Sequence, residues 1–316
     1  MTKPTVELLT LSYSGDFEVC RLLCQSMDRF VPADITHRLI VPRADLPLFA
    51  PLASTTRKLE AQDQYLPAWF KRVPMPSPKW RKRLHLPRRD VYVTPFSLPV
   101  RGWIAQQIMK ISAAAKSPAD LVAHIDSDNV FVRPFSLDRI YRDGKARIYR
   151  DDKPVGLETH ARWQRAAGQL LGLEAENFYG GEYIDPFVVW KTDIVRKLTE
   201  RLQAVSGRDW IKTLARTQHF AEYVLYGVFA DRIEGFEAAG LRPENVSLCH
   251  SVWHRGFEDD DTLTAFVEAL QPYHQTCLIQ STVAEDLAAR ERLFSLVTAF
   301  AEKQSPAALV PTSHVL

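Results

Sequence analysis

The opening of the chain constrains its fold more than any other stretch. Val6 to Leu11 is a short, largely apolar run that stops at Ser12-Tyr13-Ser14-Gly15-Asp16, the pattern of a buried strand followed by a turn. Val19, Leu22, Leu23, Met27 and Phe30 then recur at helical spacing, and His37 to Val41 reads as a second strand. Strand, helix, strand is the unit from which parallel sheets are built. Later segments continue it. Pro99 to Lys116 reads as a helix, with Ile104, Ile108, Ile111 and Ala115 on one stripe and Trp103, Gln107 and Lys110 on the next. Asp120 to Ile125 is the next strand, Phe187 to Trp190 a later one, and Thr192 to Val205 a helix. Phe220 to Phe229 is helical by pattern, Cys277 to Gln280 reads as a last strand, and Val283 to Ala301 as a last helix. The expected fold is α/β, a mostly parallel central sheet flanked by helices, in one domain over residues 1–302 with a loose tail over 303–316.

Composition removes several classes of function. At 46% hydrophobic and 25% charged residues the chain has the make-up of a folded globular protein, not of a disordered one. A net charge of +2 gives no reason to expect a nucleic-acid partner. No apolar run reaches the ~20 residues that span a bilayer, and the N-terminus lacks a signal-peptide layout. The expected location is therefore the cytoplasm, with peripheral contact at the inner membrane left open. Cys20, Cys24, Cys249 and Cys277 form no CxxC pair and read as buried free thiols. Gln64 to Leu98 breaks the pattern. It is rich in proline, carries Lys71, Arg72, Lys79, Arg81, Lys82, Arg83, Arg88 and Arg89, and interleaves Trp69, Phe70 and Trp80. It reads as a loop excursion that holds an anionic acceptor, meets anionic lipid headgroups, or is simply solvated.

The sharpest chemical signal is His124-Ile125-Asp126-Ser127-Asp128-Asn129-Val130-Phe131. Carboxylates two residues apart on extended backbone point to one side, and here they sit where a buried strand leaves its sheet. Ligands of open α/β sheets bind at the carboxyl ends of strands. Two such charges repel unless a proton or cation relieves them. Mg2+ and Mn2+ take oxygen ligands, bridge to phosphate, and as Lewis acids neutralise a departing diphosphate.

With these residues the chain resembles the GT-A nucleotide-sugar glycosyltransferases, in a bacterial branch whose layout is similar to the glycogenin-like family 8 transferases. Leu9-Thr10-Leu11-Ser12-Tyr13 looks like the nucleotide-binding start. Arg101-Gly102-Trp103 with Gln106, Gln107 and Lys110 resembles the helix before the metal motif, and Asp126-Ser127-Asp128 the motif itself. Tyr183 to Trp190 resembles the strand beneath the acceptor pocket, and His219-Phe220-Ala221-Glu222-Tyr223 the segment with an acidic acceptor-side residue. Leu248-Cys249-His250-Ser251-Val252-Trp253 looks like a distal segment that supplies a third metal ligand. The family's fuller histidine-glycine-lysine-proline-tryptophan signature is reduced here to a histidine and a tryptophan, and His254 competes with His250.

The resemblance implies a hexosyltransferase-like enzyme with a Rossmann-like GT-A fold. It would move a sugar from a nucleotide-diphosphate donor, UDP by family habit, to a glycan or lipid-linked saccharide. Mn2+ or Mg2+ would lie on Asp126, Asp128 and His250. Thr10, Ser12 and Tyr13 fall where a base or ribose binds, Arg101 belongs to the donor-side helix, Lys110 approaches the diphosphate and Gln107 orients the sugar. Glu222, in an apolar helical stretch, is the candidate base, since burial would raise its pKa, and Asp128 joins it in the reacting centre. Two rivals remain: a haloacid-dehalogenase-type phosphotransferase, in which Asp126 would be the nucleophile, and a non-catalytic nucleotide- or carbohydrate-binding pseudoenzyme.

Overall fold

A computed structural model describes residues 3–73, 80, 83, 91–253, 257, 259–280 and 286–304. Its central sheet has the order β11-β7-β1-β2-β3, formed by Val6–Leu11 (β1), Thr36–Val41 (β2), Arg57–Ala61 (β3), Leu121–Ile125 (β7) and Phe187–Lys191 (β11). β7, β1, β2 and β3 run parallel, and β11 pairs antiparallel with β7 at one edge. All of β1 and β7 is buried, because helices cover both faces of the sheet. On one face Phe17–Phe30 (α1) sets Cys20 and Cys24 against Leu39, Val41 and Phe49. On the other lies Gly102–Ala115 (α2), where the Ala113 carbonyl accepts a 3.1 Å hydrogen bond from Arg38. Thr192–Ser206 (α4) packs against α2, after Glu158–Leu171 (α3) in the chain. All four cysteines are buried free thiols.

The order of the strands matters for the site. From β1 the chain adds β2 and β3 on one side, then crosses to place β7 on the other. The crevice at the carboxyl ends of β1 and β7 is thus a topological switch point, the place where open α/β sheets bind ligands. Two smaller sheets extend the molecule. Asn129–Phe131 (β8) pairs with Thr276–Ile279 (β14), which pairs with Cys249–Val252 (β13). Tyr141–Arg142 (β9), Lys145–Tyr149 (β10) and Leu241–Glu244 (β12) form the other.

The Gln64 to Leu98 excursion is more regular than its composition suggests. Lys71–Val73 (β4), Val91–Thr94 (β5) and Ser97–Arg101 (β6) form a three-stranded antiparallel sheet, held from beneath by aromatic contacts of Trp69 with Phe96 (5.0 Å) and Phe70 with Tyr92 (5.3 Å). Pro99, Val100 and Arg101 consequently belong to β6, and the helix expected from Pro99 begins at Gly102. The last helix, Leu287–Gln304 (α7), follows Glu222–Phe229 (α5) and Asp260–Glu268 (α6) in the chain. Among the described residues no helix is long and apolar enough to cross a membrane.

Candidate functional site

Asp126, Ser127 and Asp128 form the tight turn between β7 and β8. Asn129 fixes that turn. Its backbone N–H and side-chain amide both donate to the Asp126 carbonyl, at 3.1 and 3.3 Å, and its own side-chain oxygen accepts from the buried Cys249 thiol. Thr10 steadies the turn from the other side. It donates to the Ile125 carbonyl at 2.9 Å and lies 3.0 Å from Nε2 of His37, whose Nδ1 accepts from Arg57 at 2.9 Å. Arg57 in turn reaches Asp28 at 2.6 Å.

The turn opens into a cavity of about 290 Å3 whose walls include Tyr13, Gln107, Lys110, Asp126, Asp128 and Glu222. A second cavity of about 490 Å3 adjoins it at Leu11, Tyr13, Asp16 and Gln106, and runs past Ser12, Pro42, Arg72 and Tyr92. Most residues singled out in the sequence therefore meet in one crevice at the switch point.

The electrostatics are dominated by Lys110. Its ammonium lies 3.1 Å from both Asp126 and Glu222, and donates to the Tyr223 hydroxyl at 2.7 Å. Burial pulls its pKa down, but Asp126, Tyr223 and Glu222 outweigh that and hold it well above the ordinary lysine value. Among the described residues Asp128 has no such cation at contact distance. Burial pushes its carboxyl from 3.8 up to about 7, and the charges of Asp126 and Asp16 add to this, against a backbone N–H and Arg290 pulling the other way. Asp16, Asp126, Asp128 and Glu222 thus converge on one crevice.

Several expectations need correction. Thr10 is fully buried, and its hydroxyl is spent on the Ile125 carbonyl, so it braces the aspartate turn and lines neither cavity. Arg101 is exposed and lies outside both cavity walls. Glu222 is buried as expected, but not in apolar surroundings: its carboxylate is a counter-ion of Lys110, and its backbone N–H is held by Gln107 at 2.9 Å. His250 does not join Asp126 and Asp128. Its ring stacks on Phe266 at 4.0 Å, Nε2 lies 2.8 Å from the Phe266 carbonyl, and burial lowers its pKa. Its place in β13, beside β14, turns it toward α6. His254 lies outside the described residues. Among the described residues no three His, Cys, Asp or Glu side chains gather as a ligand set. The aspartate pair would have to share a cation with water and phosphate oxygens, as Mg2+ sites do.

The structure also adds residues. Asp16, read in the sequence only as the start of a helix, faces Asp128 across the crevice, with the Ser127 hydroxyl 3.5 Å from its carboxylate. Trp253 and Gln280 complete the wall from β13 and the end of β14. Arg290 of α7 sends its guanidinium to the Ile279 and Gln280 carbonyls and lends positive charge to Asp128. Trp253 belongs to the distal segment already singled out, whereas no local pattern in the sequence marks Gln280 or Arg290.

Comparison with known proteins gives a family and nothing more specific. A model described as a family of unknown function, DUF6492, matches residues 6–302. No curated protein matches the chain.

Proposed function

This chain belongs to the DUF6492 family, and from that premise we propose that it is a GT-A-type, metal-dependent glycosyltransferase using a nucleotide-diphosphate sugar. The observation that carries the proposal is the gathering of carboxylates at the switch point. Asp126 and Asp128 lie on one turn, Asp16 faces them, and Lys110 is shared between Asp126 and Glu222. A pair of hard oxygen donors, one of them pushed up to about 7 by burial and then by the charge of the other, fits a divalent cation, Mn2+ or Mg2+. Such an ion supplies Lewis acidity toward a leaving diphosphate.

The chain's own residues do the remaining work. Tyr13 and Ser12, at the end of β1, border the larger cavity, which is wide enough for a nucleoside, and the ring of Tyr13, 47% exposed, offers an apolar surface to a base. Lys110 offers a compact, pre-positioned ammonium for a diphosphate, with Tyr223 and Glu222 holding it in place. Gln107 ties α2 to the first residue of α5, so donor-side and acceptor-side elements move as one. With its carboxylate paired to Lys110, Glu222 acts in this scheme by positioning, and the acceptor enters beside it and Trp103.

The test is calorimetric binding of UDP, GDP and CDP, each with and without Mn2+, to the wild type and Asp128→Ala. Binding of one nucleotide that needs the metal and disappears in the variant is the expected result. A folded protein that binds none of the three refutes the proposal.

A further inference from the structure

The β9-β10-β12 sheet turns one face to the core, and its register decides which side chains share each face. Ala146, Ile148 and Leu241 point inward and join the main apolar core, with Tyr141 packed against it. Arg142, aligned with Lys145, and Arg147, aligned with Arg242, take the opposite face. A cavity of about 550 Å3 lies against that face, with Arg139, Arg142, Arg150 and Arg242 in its wall. It shares no wall residue with the two cavities at the switch point.

Guanidiniums gathered in this way need acceptors, and those of the wall are already shared. Glu244 takes both Arg147, at 3.0 Å, and Arg242. Asp152 pairs with Arg150, which also lies 3.3 Å from Asp231. Arg139 and the third wall carboxylate, Asp138, stand outside any ion pair among the described residues. Two donors are left over: Nη1 of Arg147 and Nε of Arg242 are buried with no hydrogen-bond acceptor among the described residues. Burial lowers the Arg242 pKa, and the neighbouring charges of Arg142 and Arg147 lower it further, against Asp143. Folded proteins leave few buried donors unpaired, and an ion commonly explains those they do leave. Like charges crowded on one face are relieved by the same means.

We propose that this cavity binds a small organic phosphate carrying more than one negative charge, at a site separate from the crevice. Guanidinium forks match phosphate oxygens in pairs. Neighbouring strands lie about 4.8 Å apart, so arginines on β9, β10 and β12 spread across the sheet and favour a ligand charged at more than one point. A concave site of this volume suits a molecule of metabolite size and not a nucleic-acid backbone. Tyr273 and Val246, in the same wall, give its organic part an apolar border. The site does not depend on the transferase reading.

Calorimetric titration of the whole chain with inorganic pyrophosphate, inorganic phosphate and sulfate, in EDTA and at one ionic strength, tests the proposal. EDTA removes the cation that the crevice would use to hold the same anions. Pyrophosphate is expected to bind with a dissociation constant below about 1 mM, and phosphate and sulfate at least about tenfold more weakly. The double variant R139S/R142S, in which both replaced side chains are exposed, is expected to bind pyrophosphate at least about tenfold more weakly. An unchanged melting temperature would show the variant to be folded, and Arg142→Gln alone serves if it is not. Undiminished binding by the folded variants overturns the proposal, because the anion would then reside elsewhere. So does a titration that shows no saturation by about 10 mM pyrophosphate. Equal affinity for sulfate and pyrophosphate also overturns it, since that is the behaviour of a diffuse positive surface. Nucleotide binding at the crevice is measured separately, with Mn2+ present, so each reading stands or falls by its own result.

Discussion

Replacing Asp128 by Asn removes the charge that the crevice tolerates least. The folded protein holds this carboxyl at about 7 against an ordinary 3.8. At about 1.4 kcal/mol per pH unit, that gap corresponds to a ceiling of roughly 4 kcal/mol. Asp128 keeps some contact with solvent, so screening reduces the expected gain to about 1–2 kcal/mol. For a chain of this size the gain appears as a rise in Tm of about 1.5–3 °C. The sign follows from linkage. Because the folded value lies above the unfolded one, the unfolded chain releases this proton more readily. The wild type therefore loses stability as pH climbs from about 4 to about 7, and the deficit is full above 7. Thermal denaturation in EDTA at pH 5 and pH 8 should show the variant well ahead at pH 8 and the two proteins converging at pH 5. Millimolar Mn2+ should raise the wild type alone, since ligand binding to the folded state stabilises by mass action. A variant less stable than wild type at pH 8, or an advantage indifferent to pH, would refute the idea that Asp128 is held against its preference.

Lys110→Met leaves Asp126 and Glu222 without their shared ammonium, and is expected to destabilise the protein by about 3–5 kcal/mol in urea denaturation. An effect below 1 kcal/mol would mean the cluster is wet and weak. His250→Ala deletes a ring packed on Phe266 and is expected to lower Tm, while the Mn2+ dissociation constant stays within about twofold by calorimetry. A tenfold loss of metal affinity would return His250 to the metal site.

The parallel sheet was legible because its strands are short apolar runs separated by helical spacing, a pattern that buried βαβ units impose. The aspartate pair was legible because both carboxylates sit in one turn, and turn chemistry is local. Thr10 was misread for an instructive reason. The end of a central strand alternates between residues facing the ligand and residues facing a packed helix, and a hydroxyl suits either environment. The helix at Asp28 and the strand with Arg57 decide the matter, and both are remote in sequence. The β4–β6 sheet was hidden by its prolines and arginines, because its pairing depends on Trp69 and Phe70 packing beneath it. His250 was credited because its segment resembles a distal histidine motif, whereas the pairing of β13 with β14 governs where its ring points.

The line from Asp28 through Arg57 and His37 to Thr10 works as a mooring. It crosses one layer of the molecule and ends on the carbonyl just before Asp126. Its midpoint is a histidine, the side chain most apt to change character near neutrality. Yet burial, with the Arg57 charge beside it, brings the His37 pKa down to about 3. The mooring therefore keeps one protonation pattern over the whole range in which Asp128 titrates. Acid can change the charge in the crevice without loosening what holds its rim, so in the proposed transferase pH would set cation occupancy through charge alone and not through movement of the rim.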